Sequence, residues 1–191
     1  MATDLNGKTG AGAFFKLTIN AAWSAQFALD RGAGKYDDGK GAAEAWTFAA
    51  GTPAVTQANQ LFTDIRTLAN AANEDLDLTT LTNFRGQVLG FGKLLALWIH
   101  NRSNEASTTP AHTAGDSSIK VKPAAANGCL IFDDPSDIKT LLYGGHLIMA
   151  DPDAAGITVD GTHKLINVAQ SGGTSTPGCC YEIIALGAVA A

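Results

Sequence analysis

Turn-forming clusters interrupt this chain so often that little room is left for long helices. In the C-terminal half Asp133-Asp134-Pro135, Gly144-Gly145, Asp151-Pro152-Asp153, Asp160-Gly161 and Ser171-Gly172-Gly173 follow one another at short intervals. Gly, Pro, Asp and Asn punctuate in this way because they adopt the tight backbone angles and local side-chain hydrogen bonds of turns. Between the breaks the pattern has period two. In Asp75-Leu76-Asp77-Leu78 and Ile119-Lys120-Val121-Lys122 apolar and charged residues alternate, which places each kind on its own face of a strand. The same reading predicts strands at Phe14–Ile19, Gln26–Leu29, Gln60–Leu68, Cys129–Phe132, Thr140–Ala150, Ile157–Val159, Lys164–Ala169 and Tyr181–Leu186. Many short strands separated by regular turns indicate an all-β sandwich or barrel. Helix is expected for a turn or two at most, at Ala42–Ala45 or Pro135–Lys139.

One segment departs from alternation. Val88 to His100 is apolar at nearly every position, as in a central strand covered on both sides or a strand lying under a neighbouring subunit. Period two puts Trp98 with Leu94 and Ala96 on one face, and Leu95, Leu97 and Ile99 on the other. One set should line the core, and the other should meet a second sheet or a second subunit. Two stretches read as long loops: the glycine-rich run from Asp30 to Gly51, where Trp46 and Phe48 mark the return to a packed surface, and Asn101–Ser117. The expected organisation is one compact unit. Residues 1–57 supply an arm, early strands and the glycine-rich loop, and residues 58–191 form the sandwich body.

Composition narrows the function. Charged residues make up 16% of the 191, against about 25% in an ordinary soluble domain, while 33 Ala and 21 Gly keep the surface small-featured. Thirteen basic against eighteen acidic residues give a net charge of -5, which argues against a nucleic-acid footprint. No apolar run approaches the ~20 residues of a membrane-spanning helix. The first residues lack the basic start and apolar stretch of a signal peptide. Cys129, Cys179 and Cys180 are too few and too unevenly spaced for a disulfide framework. Reduced, structural cysteines in a chain made in the cytoplasm are expected, the adjacent pair facing opposite sides of a strand.

Chemical motifs are weak. Gly34 to Gly41 nearly fits a phosphate-binding loop, but Gly41 stands where the magnesium-binding hydroxyl belongs and two carboxylates lie inside the loop. Asn6-Gly7-Lys8-Thr9 lacks the upstream glycine. His100, His112, His146 and His163 show no metal-ligand spacing, and no nucleophile elbow or Cys/His pair stands out. Asp133-Asp134 and Asp151-Pro152-Asp153 read as turns rather than calcium loops. No catalytic, cofactor or metal residue is therefore assigned. Trp23, Trp46 and Trp98 read as core or interface anchors in preference to a sugar-stacking platform. The candidate interface residues are Trp98, Leu94, Ala96, Trp23, Trp46, Phe14 and Phe15.

The run Ala58-Asn59-Gln60-Leu61-Phe62-Thr63-Asp64-Ile65-Arg66-Thr67-Leu68, followed by Glu74-Asp75-Leu76-Asp77-Leu78, resembles a family of small virion proteins of tailed bacteriophages. In that family an ANQLW-x-D-x-R-T-L strand leads through a small-residue turn into EDLDL. Further matching features follow in order: a long strand ending near Asn101, the Gly144-Gly145 turn, Gly156 to Val159, Leu165 to Gly172, and Tyr181 to Gly187. The similarity covers residues 58 to 188 and departs from the family at Phe62, in the Asn101–Ser117 loop and over the N-terminal fifty residues. It implies a non-enzymatic virion protein with a jelly-roll-like β-sandwich, a homotrimer bound to the major capsid protein on the head exterior as a decoration (cement) protein. A tail, baseplate or fibre subunit is the alternative, and a glycan-binding receptor module the third. An N-terminal arm from Met1 to about Gly12 is expected to leave the sandwich and contact a neighbour.

Overall fold

The computed structural model describes residues 14–19, 44–50, 57–83, 85–108, 110–132, 134–151, 156–171 and 178–189. Its strands, in chain order, are β1 (Phe14–Ile19), β2 (Glu44–Ala50), β3 (Gln57–Ala58), β4 (Gln60–Leu68), β5 (Asn73–Asp77), β6 (Lys93–Asn101) and β7 (Ser107–Thr108). There follow β8 (Ala111–His112), β9 (Ser118–Pro123), β10 (Lys139–Leu141), β11 (His146–Ala150), β12 (Ile157–Thr158), β13 (Leu165–Ser171) and β14 (Cys179–Ala188). No helix occurs among the described residues.

The described residues form an all-β sandwich. One antiparallel sheet has the order β10-β9-β13-β5, and the other β11-β6-β14-β4 with β12 alongside β6. Each sheet sends every second side chain inward. Leu76, Ile119, Val121, Leu141, Ile166 and Val168 come from the first sheet, and Phe62, Leu68, Leu97, Ile99, Tyr181 and Ile183 from the second. Together they form a single buried cluster. Outward neighbours such as Lys120 are exposed, so the alternation read from the sequence is the division between core and surface. A small sheet of order β1-β2-β3 precedes the sandwich, and β7 pairs with β8 in a two-stranded ribbon.

Several expectations need correction. The segment beginning at Val88 does not enter the sheet until Lys93: Val88 is 65% exposed and only bridges Thr82, whereas Leu89 and Phe91 turn into the core. Thr140–Ala150 is not one strand but two, in different sheets. The turn at Leu142–Gly145, with Gly144 at φ 73°, carries the chain from β10 across to β11. Cys129–Phe132 makes no ladder. The Ile131 amide donates to the Cys129 carbonyl at 2.8 Å, and this tight local bond curls the segment while Cys129 and Ile131 remain buried. Asn101–Ser117 contains the β7–β8 ribbon and is not wholly loop. Glu44 and Ala45 belong to a strand, and Pro135 lies in a turn closed by the Asp137 amide on the Asp134 carbonyl (3.1 Å), so neither helical candidate is helix. Gln26–Leu29, Ala42, Ala43 and the arm from Met1 to Gly12 lie outside the described residues.

Candidate interaction surface

β6 is the strand on which the surface is built. It lies inside its sheet, with β11 and β12 on one side and β14 on the other, so both of its edges are hydrogen-bonded. Its pairing with β14 shifts register between Leu186 and Gly187: Leu186 faces Ala96, but Gly187 faces Leu94. Leu95 is therefore the extra residue of a β-bulge, and side-chain parity changes there. Leu94 joins Leu97 and Ile99 in the inter-sheet core, while Leu95 joins Ala96 and Leu186 in a separate cluster with Ala58. This corrects the face assignment made from period two. Leu94 is fully buried and contributes nothing to an outer surface, whereas Trp98 and Ala96 do lie outward, accompanied by Leu95.

Beyond the bulge, the outer face of this sheet is ordered in three rows across four strands. Cα partners place Ala150, Ala96, Leu186 and Leu61 in the first row, Ile148, Trp98, Ile184 and Thr63 in the second, and His146, His100, Glu182 and Ile65 in the third. The first row is closed at its middle, where Ala96 and Leu186 are buried. The second and third are open, with Ile148 39% exposed and Trp98 half-buried. Glu182 is the one carboxylate or fixed cation in these rows, and it is tied to Arg102 at 3.4 Å. The outer face of the other sheet is different in kind. It presents Asp75, Asp77, Lys120, Lys122 and Asn167, with Asn167 donating to Asp75 at 2.7 Å and Lys164 pairing with Asp77 at 2.7 Å.

Of the other candidate interface residues, Phe14 and Phe15 lie on β1, opposite Ala49 and Phe48, and Trp46 lies on β2 opposite Leu17. The placement of their side chains, and Trp23 altogether, lie outside what the structure describes. The sequence reading missed Ile148, Ile184 and the meeting of His100 with His146. Their membership of one face depends on how β11 and β14 register against β6, and no local pattern reports that.

Two buried polar centres hold the surface in place. Asn101, at the end of β6, donates through Nδ2 to the carbonyls of Ser117 and Leu141, both at 3.0 Å, and its Oδ1 accepts from the Ser103 amide at 3.0 Å and the Ser103 hydroxyl at 2.6 Å. At the other centre Glu74 joins the sheets: Oε1 accepts from the buried Tyr181 hydroxyl at 2.7 Å and Oε2 from Arg66 Nε at 2.9 Å. Burial, and then the neighbouring Glu74 carboxylate, push the Tyr181 phenol far above its ordinary range.

A cavity of about 280 Å3 beside β6 is lined by Leu94, Leu97, Leu130, Ile131, Met149 and Ile157, with Asp151 also lining it. Among the described residues no three His, Cys, Asp or Glu side chains gather as a metal-binding group. The turn Asp160-Gly161-Thr162-His163 is closed by Asp160 Oδ1, which accepts from the amides of Thr162 and His163. These bonds, with the Thr162 hydroxyl and the His163 ring, hold its carboxyl down at about 2.

Cys129, Cys179 and Cys180 are free thiols and buried, with Cys179 in the core and Cys180 next to it on the opposite side of β14. Burial pushes Cys129 and Cys179 up to about 12 and raises Cys180 as well. Since the thiolate is the reactive form, none of the three should react with a disulfide reagent at pH 8 in the native protein, and all three should react in denaturant. A native thiol titrating within minutes would contradict this burial.

No family model matches the chain, and neither a curated protein nor a solved structure does. What the fold and the surface define is a class: an all-β sandwich with one charged outer face and one apolar, nearly uncharged outer face.

Proposed function

We propose that this chain is a structural protein of a tailed-bacteriophage particle that decorates the capsid as a trimer, docking on the major capsid protein through the open rows around Trp98. The observation that carries the reading is the contrast between the two outer faces. A soluble sandwich needs no Trp98, Ile148 and Ile184 side by side on its exterior, and contiguous apolar surface of this kind marks contact with another macromolecule. Aromatic residues at the centre of such a face are the usual energetic anchors. The strand order supports the same role. With the eight strands of the two four-stranded orders, β4, β5, β6, β9, β10, β11, β13 and β14, counted one to eight, one sheet runs 6-3-8-1 and the other 5-4-7-2. That order supports reading the sandwich as a jelly roll, an architecture shared by viral capsid and lectin domains.

Copy number tests the assignment. Quantitative gels of purified particles should show hundreds of copies per virion; a handful or a few dozen would move the protein to the tail, baseplate or fibre. Binding of Trp98→Ala to capsids that lack the protein should be weakened about 30-fold or more, as expected for a central anchor worth at least ~2 kcal/mol. Its thermal unfolding should change little. Unaltered affinity in that variant would remove this face from the contact, and specific binding to a glycan array without capsid binding would favour the receptor-module reading.

A further inference from the structure

The third row of the outer face brings two histidines into contact. His100 on β6 and His146 on β11 are Cα partners, and their rings stack with centroids 4.0 Å apart and planes 11° from parallel. Trp98 flanks both, at 5.7 Å from His100 and 5.8 Å from His146. No hydrogen bond ties either imidazole to another described residue, so ring contact is what joins the two side chains. β11 is an edge strand. Among the described residues its ladder runs to β6 alone, and it starts directly after the turn that changes sheets.

We propose that this stack is a proton-sensitive latch on the edge of the sandwich: with both rings neutral it holds His146–Ala150 against β6, and protonation of the pair loosens that edge. Two imidazolium rings at stacking distance repel each other, and the contact that joined them is lost. The surrounding charges do not offset this. Glu182 on β14, the Cα partner of His100, pairs with Arg102 at 3.4 Å, and Arg102 pairs also with Glu105 at 2.7 Å, so the cation is shared between two carboxylates that are themselves engaged. Trp98 is uncharged, and β11 itself carries His146 as its sole titratable side chain. Burial first, and then His146, hold His100 below the ordinary histidine value. A base whose folded value is depressed binds protons more readily in the unfolded chain. The latch is therefore fully closed above about pH 6.5 and weakens as pH falls below that value. Weaker docking in acid would follow as well, but that consequence rests on the proposed function, whereas the latch belongs to the isolated protein.

The test uses the full chain, free in solution, and two variants, His146→Gln and His100→Gln. Imidazole titration by NMR should show His100 titrating higher in His146→Gln than in the wild type, because the neighbouring ring that helps hold it down is gone. Hydrogen exchange, corrected for intrinsic rates, should show the β11 amides losing several-fold more protection between pH 7.5 and 5.0 in the wild type than in either variant. An unshifted His100 in His146→Gln, or β11 amides that follow pH equally in all three proteins, would overturn the latch. Neither result would bear on capsid binding at neutral pH.

Discussion

Asn101→Ala should be among the most destabilising single changes in the protein, lowering unfolding free energy by about 4 kcal/mol. The side chain is fully buried, and it serves four groups at once: two carbonyls through its amide nitrogen and the Ser103 amide and hydroxyl through its oxygen. Alanine would leave these partners in a site that excludes water, and each unsatisfied group costs roughly 1–3 kcal/mol. Asn101→Asp should be no milder, since it turns a donor into an acceptor facing two carbonyls. Ser103→Ala, which leaves the backbone bond but removes a hydroxyl that also accepts from the Cys180 amide at 3.3 Å, should cost less, about 1–2 kcal/mol. Urea unfolding midpoints of the three variants check the order. Parity between Asn101→Ala and Ser103→Ala would show that Asn101 is not the organiser of this corner.

The second large effect is expected at Glu74. Its replacement by alanine deprives a fully buried tyrosine hydroxyl and a partly buried guanidinium of their shared partner, and about 3 kcal/mol should be lost. Arg66 keeps Asp64 at 3.0 Å, and its side chain is one-third exposed, which places the figure at the lower end of what a broken buried pair costs. Tyr181→Phe removes one bond of the three groups and leaves Glu74 engaged by Arg66, so its cost should be nearer 1 kcal/mol. The double variant separates the two contributions: once Glu74 is absent, removing the hydroxyl should cost nothing further, because an unpaired buried donor disappears with it. Equal losses in Glu74→Ala and Tyr181→Phe would show that Arg66 does not depend on this carboxylate.

Much of this architecture is legible in the residues. Ile119-Lys120-Val121-Lys122 and Asp75-Leu76-Asp77-Leu78 state their own phase, because apolar and charged side chains cannot exchange faces without a large desolvation cost. β4 falls at the predicted Gln60–Leu68. The Leu94–Ile99 run carries no such phase. Every residue in it tolerates burial, so its composition is silent about which side faces the core, and the bulge at Leu95 was invisible. The His100–His146 contact was unreadable for another reason: the two residues are joined by the register of an edge strand that arrives only after the chain has visited the opposite sheet. Asn101 reads as a strand terminus, but the carbonyls of Ser117 and Leu141 that make it a hub come from the residue before β9 and the end of β10, 16 and 40 residues further along the chain.

The bulge also governs how insertions and deletions in this region should be read. Strand parity is set separately on the two sides of Leu95, so loss of that one residue would straighten β6 while leaving Leu94 and Leu97 on the inner side. A one-residue deletion at Ala96 would do the same, since either residue can serve as the surplus one. A single deletion at Trp98 has no such outlet. It would swap inside and outside for one end of the strand, carrying Ile99 to the surface and His100 toward the core. Alignments that place a gap in this run should therefore favour positions 95 and 96, and a gap two residues later describes a different surface.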